Sequence, residues 1–166
     1  IQPEDYAVVE LSSFQLISMH SSPDIAVVTN VSPNHLDVHK DMQEYIDAKK
    51  NIFLHQGAFS KTVLNADNDI TSSFADEVRG KTYMFSMKQQ PAFGAYYKDG
   101  ALYMSKLDGT EKIMDESDIL LVGKHNVENY LAAISAVYGI CSTDSMRYVA
   151  SHFKGVEHRC ELVRER

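Results

Sequence analysis

The chain has 166 residues, 44% of them hydrophobic and 23% charged, ordinary values for a globular protein with a real apolar core. Its formal net charge of −7 argues against a general nucleic-acid-binding surface, and no apolar run is long enough to insert into a membrane. An acidic chain that handles phosphates needs metal ions or local basic residues at its site. Its two cysteines, Cys141 and Cys160, lack metal-ligand spacing and read as free thiols of a reducing, cytoplasmic compartment.

In chain order, Tyr6-Ala7-Val8-Val9 has the short apolar run of a buried parallel strand, and Ile25-Ala26-Val27-Val28 is a second such run. Asp41 fits a helix N-cap, with Glu44 completing a capping box and Gly57 marking the stop. Thr62-Val63-Leu64 predicts a third strand, residues 68–78 a helix, and residues 82–86 another strand. Between residues 92 and 120 the pattern changes to short strands, with hairpin signals at Lys98-Asp99-Gly100 and Leu107-Asp108-Gly109. Two helices close the chain, over residues 126–138 and 145–153. The expected fold is α/β: a mainly parallel sheet flanked by helices, with a small antiparallel β insert.

Ligands of open α/β sheets bind beyond the C-terminal strand ends. Glu10 directly follows an apolar run, where a carboxylate can ligate a nucleotide-bound magnesium; it also suits a helix start capped by Ser12 or Ser13. The segment from Thr29 to His39 places His35, Asp37 and His39 within five residues, a possible metal loop, although His39 reads better as an incidental histidine on a solvated loop.

On a wheel of about 100° per residue, Met42, Tyr45, Ile46, Ile52 and Phe53 form an apolar stripe with Lys49 at its centre, whereas Lys50 points away. Two readings stand side by side. Burial lowers a lysine pKa, and the neutral amine can capture carbon dioxide; alternatively, the stem packs while the ammonium reaches water. The stretch from Ala75 to Thr82 matches a loose phosphate-loop pattern, but a helix precedes it and a strand follows, the reverse of what phosphate binding requires. It reads as a chance match.

Several segments resemble the ATP-dependent Mur ligases, in family order. They are Val9-Glu10-Leu11-Ser12-Ser13-Phe14-Gln15-Leu16, the Thr29–Asp37 run, Tyr45-Ile46-Asp47-Ala48-Lys49-Lys50-Asn51-Ile52-Phe53, and Asn65-Ala66-Asp67-Asn68-Asp69. Gly123-Lys124-His125-Asn126-Val127-Glu128-Asn129 and Gly155-Val156-Glu157-His158-Arg159 complete the set. The Ser-Ser-Phe-Gln run is similar to that of the member that adds D-glutamate to UDP-N-acetylmuramoyl-L-alanine using ATP and Mg2+. The resemblance implies metal ligation by Glu10, His35 and a carbamylated Lys49. It further implies UDP-sugar contacts from Ser12 and Gln15, and nucleotide contacts from Asn126, Asn129 and Arg159. Asp37 receives no direct role.

Both chain ends read as cut points within a larger, monomeric parent. Residues 1–153 would be part of a central ATP-binding domain without its phosphate-loop portion, and residues 154–166 a hinge; the isolated piece is expected to be inactive. The alternatives are another Mur-type or folylpolyglutamate-type ligase, a non-catalytic nucleotide-binding module, and a zinc hydrolase built on His35, Asp37 and His39.

Overall fold

The computed structural model describes residue 2 and residues 4–32 and 39–156. Two three-stranded sheets form its frame. The first is parallel, in the order β1 (Ile25–Val28), β2 (Lys61–Asn65), β3 (Lys81–Phe85). The second is antiparallel, made of β4 (Gly94–Lys98), β5 (Ala101–Lys106) and β6 (Gly109–Asp115). The two are joined edge to edge: the Met84 amide donates to Phe93 O at 2.8 Å, Ser86 N–H to Ala95 O at 3.1 Å, and Tyr97 N–H to Ser86 O at 3.0 Å. The insert thus prolongs the parallel sheet and equals it in strand number.

The helices are α1 (Ser13–Leu16), α2 (Met42–Leu54), α3 (Asp69–Ser73), α4 (Lys124–Val137) and α5 (Thr143–His152). Strand alternation sorts side chains to the two faces of the parallel sheet. Ala26, Val28 and Leu64 pack with Tyr45 and Phe53 of α2 and with Phe74. Val63 and Phe85 turn the other way, joining Leu102, Met104 and Ile113 of the insert and Val127, Leu131 and Ile134 of α4. The sheet therefore lies between helical layers, with an apolar core on each face.

Local signals behave as expected where the backbone demands them. Asp41 accepts from the Glu44 amide at 2.9 Å, but the Glu44 carboxylate reaches past the cap to Lys40 N–H at 2.8 Å, so the predicted box is only half formed. The predicted helix over 68–78 is capped by Asn68 and tightens after Ser73 into a 3₁₀ turn. The chance phosphate-loop match does run from that turn into β3. Its Gly80 has a packing reason: a Cβ there would sit 2.3 Å from Ser60 O, which accepts from Lys81 N–H.

One predicted element does not form. Residues 6–9 carry no strand, and Val8 is 98% exposed. A parallel strand needs a neighbour to satisfy its backbone, and among the described residues β1 pairs only with β2. Apolar content alone does not supply that neighbour. Among the described residues, no helix is long and apolar enough to cross a membrane.

Candidate active site

The extended segment ahead of α1 leads Glu10 and Leu11 into a tight turn. Ser12 caps the four-residue helix: its Oγ accepts from Gln15 N–H, while Gln15 Oε1 accepts from Ser12 N–H at 2.8 Å and from Ser12 Oγ–H at 2.9 Å. The box ties Ser12 and Gln15 to each other, and both remain exposed. It uses only the carbonyl end of the Gln15 amide, which keeps the amide's N–H groups out of the box. Beneath them, Ser13 and Leu16 are buried. Leu16 O accepts from Asn51 Nδ2 of α2 at 2.9 Å, so α2 holds the far end of the turn.

A cavity of about 540 Å³ opens where this turn meets α2, lined by residues 10–15, Tyr45 and Lys49. Four of the sequence candidates, Glu10, Ser12, Gln15 and Lys49, therefore share one pocket. Lys49 is half-buried, with Nζ 5.8 Å from the Tyr45 ring centre. Among the described residues its amine makes no hydrogen bond. Burial pushes its pKa down from the ordinary lysine value, and the nearby Glu10 carboxylate opposes that shift. Lys50 is also partly buried: it passes over Phe74, 5.3 Å from the ring centre, and ends on Glu77 Oε1 at 2.5 Å.

His39 departs from the sequence reading of a solvated, incidental histidine. It is 4% exposed. Its Nε2 lies 2.8 Å from Ser13 Oγ, its Nδ1 3.5 Å from Glu44 Oε2, and its ring stacks on Phe14 at 5.1 Å. Sequence spacing relates His39 to its own loop, whereas Ser13 is 26 residues away. The only advance sign was an imidazole entering a helix beside the aromatic stripe.

Asn126 and Asn129 belong to a different place, the first turns of α4, and neither lines this pocket. Gly123 is the N-cap of α4 at φ 113°, and Asn126 Nδ2 donates to Val122 O at 2.9 Å. Asn129 is exposed. The rim of the parallel sheet adds a network that spacing did not reveal. Asn65 Nδ2 donates to Thr29 O at 2.9 Å and to Glu128 Oε1 of α4 at 2.7 Å, and Asp67 accepts from Ser86 Oγ–H at 2.6 Å and Met87 N–H at 2.7 Å. This clamp fixes the start of α4 against the ends of β1 and β2. His35, Asp37 and Arg159 lie outside the described residues, as do Cys160 and most of the expected hinge.

Comparison with known proteins decides the family. Residues 2–137 match the Mur ligase middle domain. The chain belongs to the Mur ligase family. It is 54% identical over 165 residues to the UDP-N-acetylmuramoylalanine–D-glutamate ligase of Clostridium botulinum, covering 99% of this chain and 35% of that protein. The ligase of the same name from Acetivibrio thermocellus is also 54% identical, with the same coverage. The chain thus spans about a third of the length of the curated relatives it matches. The fold agrees: MurF from Acinetobacter baumannii superposes with a TM-score of 0.66 at 15% identity, over 87% of this chain and 32% of that one. A UDP-N-acetylmuramoyl-L-alanyl-D-glutamate–2,6-diaminopimelate ligase gives 0.66 at 22% identity, over 86% and 30%. The parallel sheet with its antiparallel extension is therefore the fold of a Mur ligase middle domain.

Proposed function

We propose that residues 1–153 form the greater part of the central ATP-binding domain of a cytoplasmic ligase, with residues 154–166 as a hinge. The parent adds D-glutamate to UDP-N-acetylmuramoyl-L-alanine in peptidoglycan precursor synthesis. The observation that carries this reading is 54% identity across 99% of the chain to ligases of that specificity. The pocket supports it, because the Ser-Ser-Phe-Gln turn, Glu10 and Lys49 meet there.

In this reaction the substrate carboxylate takes the γ-phosphoryl group of ATP, giving an acyl phosphate and ADP. The D-glutamate amine then attacks the acyl carbon, loses a proton, and expels inorganic phosphate as the amide forms. Ser12 and Gln15 bind the UDP-sugar substrate, with the free amide end of Gln15 supplying donors. Asn126 and Asn129 meet the nucleotide base on α4, and Arg159 approaches the nucleotide from the hinge.

The donor chemistry fits a hard divalent cation. Glu10 supplies oxygen, and Lys49 is a half-buried amine with a lowered pKa and no hydrogen bond to another described residue, the state that favours carbamate formation. Mg2+ would be held by Glu10, His35 and the Lys49 carbamate. When bound, it neutralises charge on the phosphate oxygens and the carboxylate. The zinc hydrolase reading fits less well, because both His39 ring nitrogens already face protein partners.

The test is phosphate release by a full-length ligase containing this chain. Turnover should require ATP, UDP-N-acetylmuramoyl-L-alanine and D-glutamate together. Turnover with D-glutamate replaced by a diamino acid, or with the acyl substrate lacking L-alanine, would overturn the proposed specificity.

A further inference from the structure

We infer that His39 is a positioning residue. It fixes the turn at residues 12–15 against α2, and so sets where Ser12 and Gln15 meet the UDP-sugar substrate. This inference rests on the substrate reading of that turn.

A four-residue helix has little stability of its own, so tertiary contacts must decide where α1 sits. Its C-terminal end is held by the Asn51 bond to Leu16 O and by the buried Leu16 side chain. Its N-terminal end is held by His39. The imidazole touches two consecutive residues of α1: Nε2 pairs with the buried Ser13 hydroxyl at 2.8 Å, and the ring stacks on Phe14 with planes 15° apart. On its other side it meets two consecutive residues of α2, the Tyr45 ring at 5.3 Å and the Glu44 carboxylate at 3.5 Å. Glu44 is itself fixed by Lys40 N–H and by the Asp41 cap.

His39 therefore bridges the start of α2 to the turn that lines the pocket. Ser12 and Gln15 make their side-chain hydrogen bonds to each other, so they follow Ser13 as a unit. A buried hydrogen bond to an imidazole is directional, whereas the aromatic stack alone permits sliding. The Ser13 bond is accordingly the feature that sets the position.

The test uses the full-length ligase and separates the bond from the packing. His39→Phe keeps a stacking ring and removes Nε2. Ser13→Ala deletes the same bond from the other side. His39→Gln restores a polar group at similar reach. Steady-state kinetics with each substrate varied in turn, together with thermal melts, supply the readout. Both deletions should raise KM for UDP-N-acetylmuramoyl-L-alanine about tenfold, with KM for ATP and D-glutamate essentially unchanged and kcat far less affected. The double variant should be no worse than either single one, and His39→Gln should recover most of the loss.

Unchanged KM for the acyl substrate in both deletions overturns the positioning role, as does a fall in melting temperature alone. If His39→Phe does not fold, Ser13→Ala decides by itself. Ser12→Ala and Gln15→Ala separate this inference from the reading beneath it. If those two leave KM for the acyl substrate unchanged, the substrate assignment fails and takes the inference with it. If they raise it while His39→Phe and Ser13→Ala do not, only the positioning role fails.

Discussion

Two half-buried lysines lie on opposite sides of the parallel sheet, and their surroundings differ. Lys61, at the start of β2, sends Nζ to the end of α4, where it donates to Ala136 O and Tyr138 O at 2.9 Å and to Ser135 O at 3.4 Å, 4.7 Å from the Tyr83 ring centre. Lys49 lines the pocket, and among the described residues its amine has an aromatic face and the nearby Glu10 carboxylate but no hydrogen bond. Burial lowers the pKa of both, with Lys81 adding to the effect at Lys61 and Glu10 opposing it at Lys49. One lysine closes a helix terminus whose carbonyls have lost their intrahelical partners. The other is left chemically available. Burial of a lysine is thus no sign of reactivity by itself; its hydrogen-bond partners and its access to a cavity separate the two.

The largest expected effect sharpens this contrast at Lys49. In the full-length ligase, Lys49→Ala should lower kcat/KM by at least about 100-fold while the melting temperature stays close to that of the parent. Lys49→Met should be equally poor, because it keeps the stem but cannot form a carbamate. Acetate should partly restore the Ala variant by placing a carboxylate in the vacated space. Lys50→Ala, by contrast, removes a partly exposed ion pair and should stay near parental activity. An active Lys49→Met enzyme, insensitive to carbon dioxide depletion, would return Lys49 to the role of a packing residue.

Lys61→Met breaks the comparison from the other side. Three carbonyls at the end of α4 lose their donor, so denaturant unfolding of the full-length ligase should show a loss of about 2 kcal/mol. KM values should hold. A catalytic defect without a stability defect would reverse the assignment of the two lysines.

The smallest effect concerns Glu111 in the antiparallel extension. It accepts from Tyr138 Oη–H at 2.8 Å, Thr143 Oγ1–H at 2.9 Å and Lys106 Nζ at 3.2 Å, and these donors hold its carboxyl below the ordinary value. A depressed carboxylate pKa stabilises the folded state above the unfolded value of about 4.3, and that contribution is lost as pH falls through the folded value. The site is partly solvated, so Glu111→Gln should cost less than about 1 kcal/mol at neutral pH. The difference between the two proteins should shrink below pH 4.3 and vanish in stronger acid. A cost that persists at low pH would mean that amide packing, not charge, is responsible.

Most of the fold was legible because its signals are local. Apolar runs marked β1, β2 and β3; Asp41 and Asn68 cap the helices they were placed to cap or begin; and the Asp-Gly turns lie where the insert reverses. Residues 6–9 misled because their apolar character resembles that of a strand, while strand formation depends on a partner that a local pattern does not contain. The candidate site was legible only in part. Glu10, Ser12, Gln15 and Lys49 stood out by residue type, helical spacing or family resemblance, and the fold gathers them around one cavity. Asn126 and Asn129 fall elsewhere, at the start of α4.

The sequence by itself determined most of the elements, their faces and the family, since each rests on periodicity, capping chemistry or ordered motifs along the chain. It also placed a lysine in an apolar stripe. Tertiary structure decided what that placement means. Lys49 and Lys61 share a residue type and a degree of burial, and only distant chain segments provide one with three carbonyls and the other with a pocket. The same holds for His39, which is incidental within its own loop and becomes a buried bridge only when α1 and α2 close on it. Hydrogen bonds and packing act over a few ångströms in space, and sequence separation does not encode that distance.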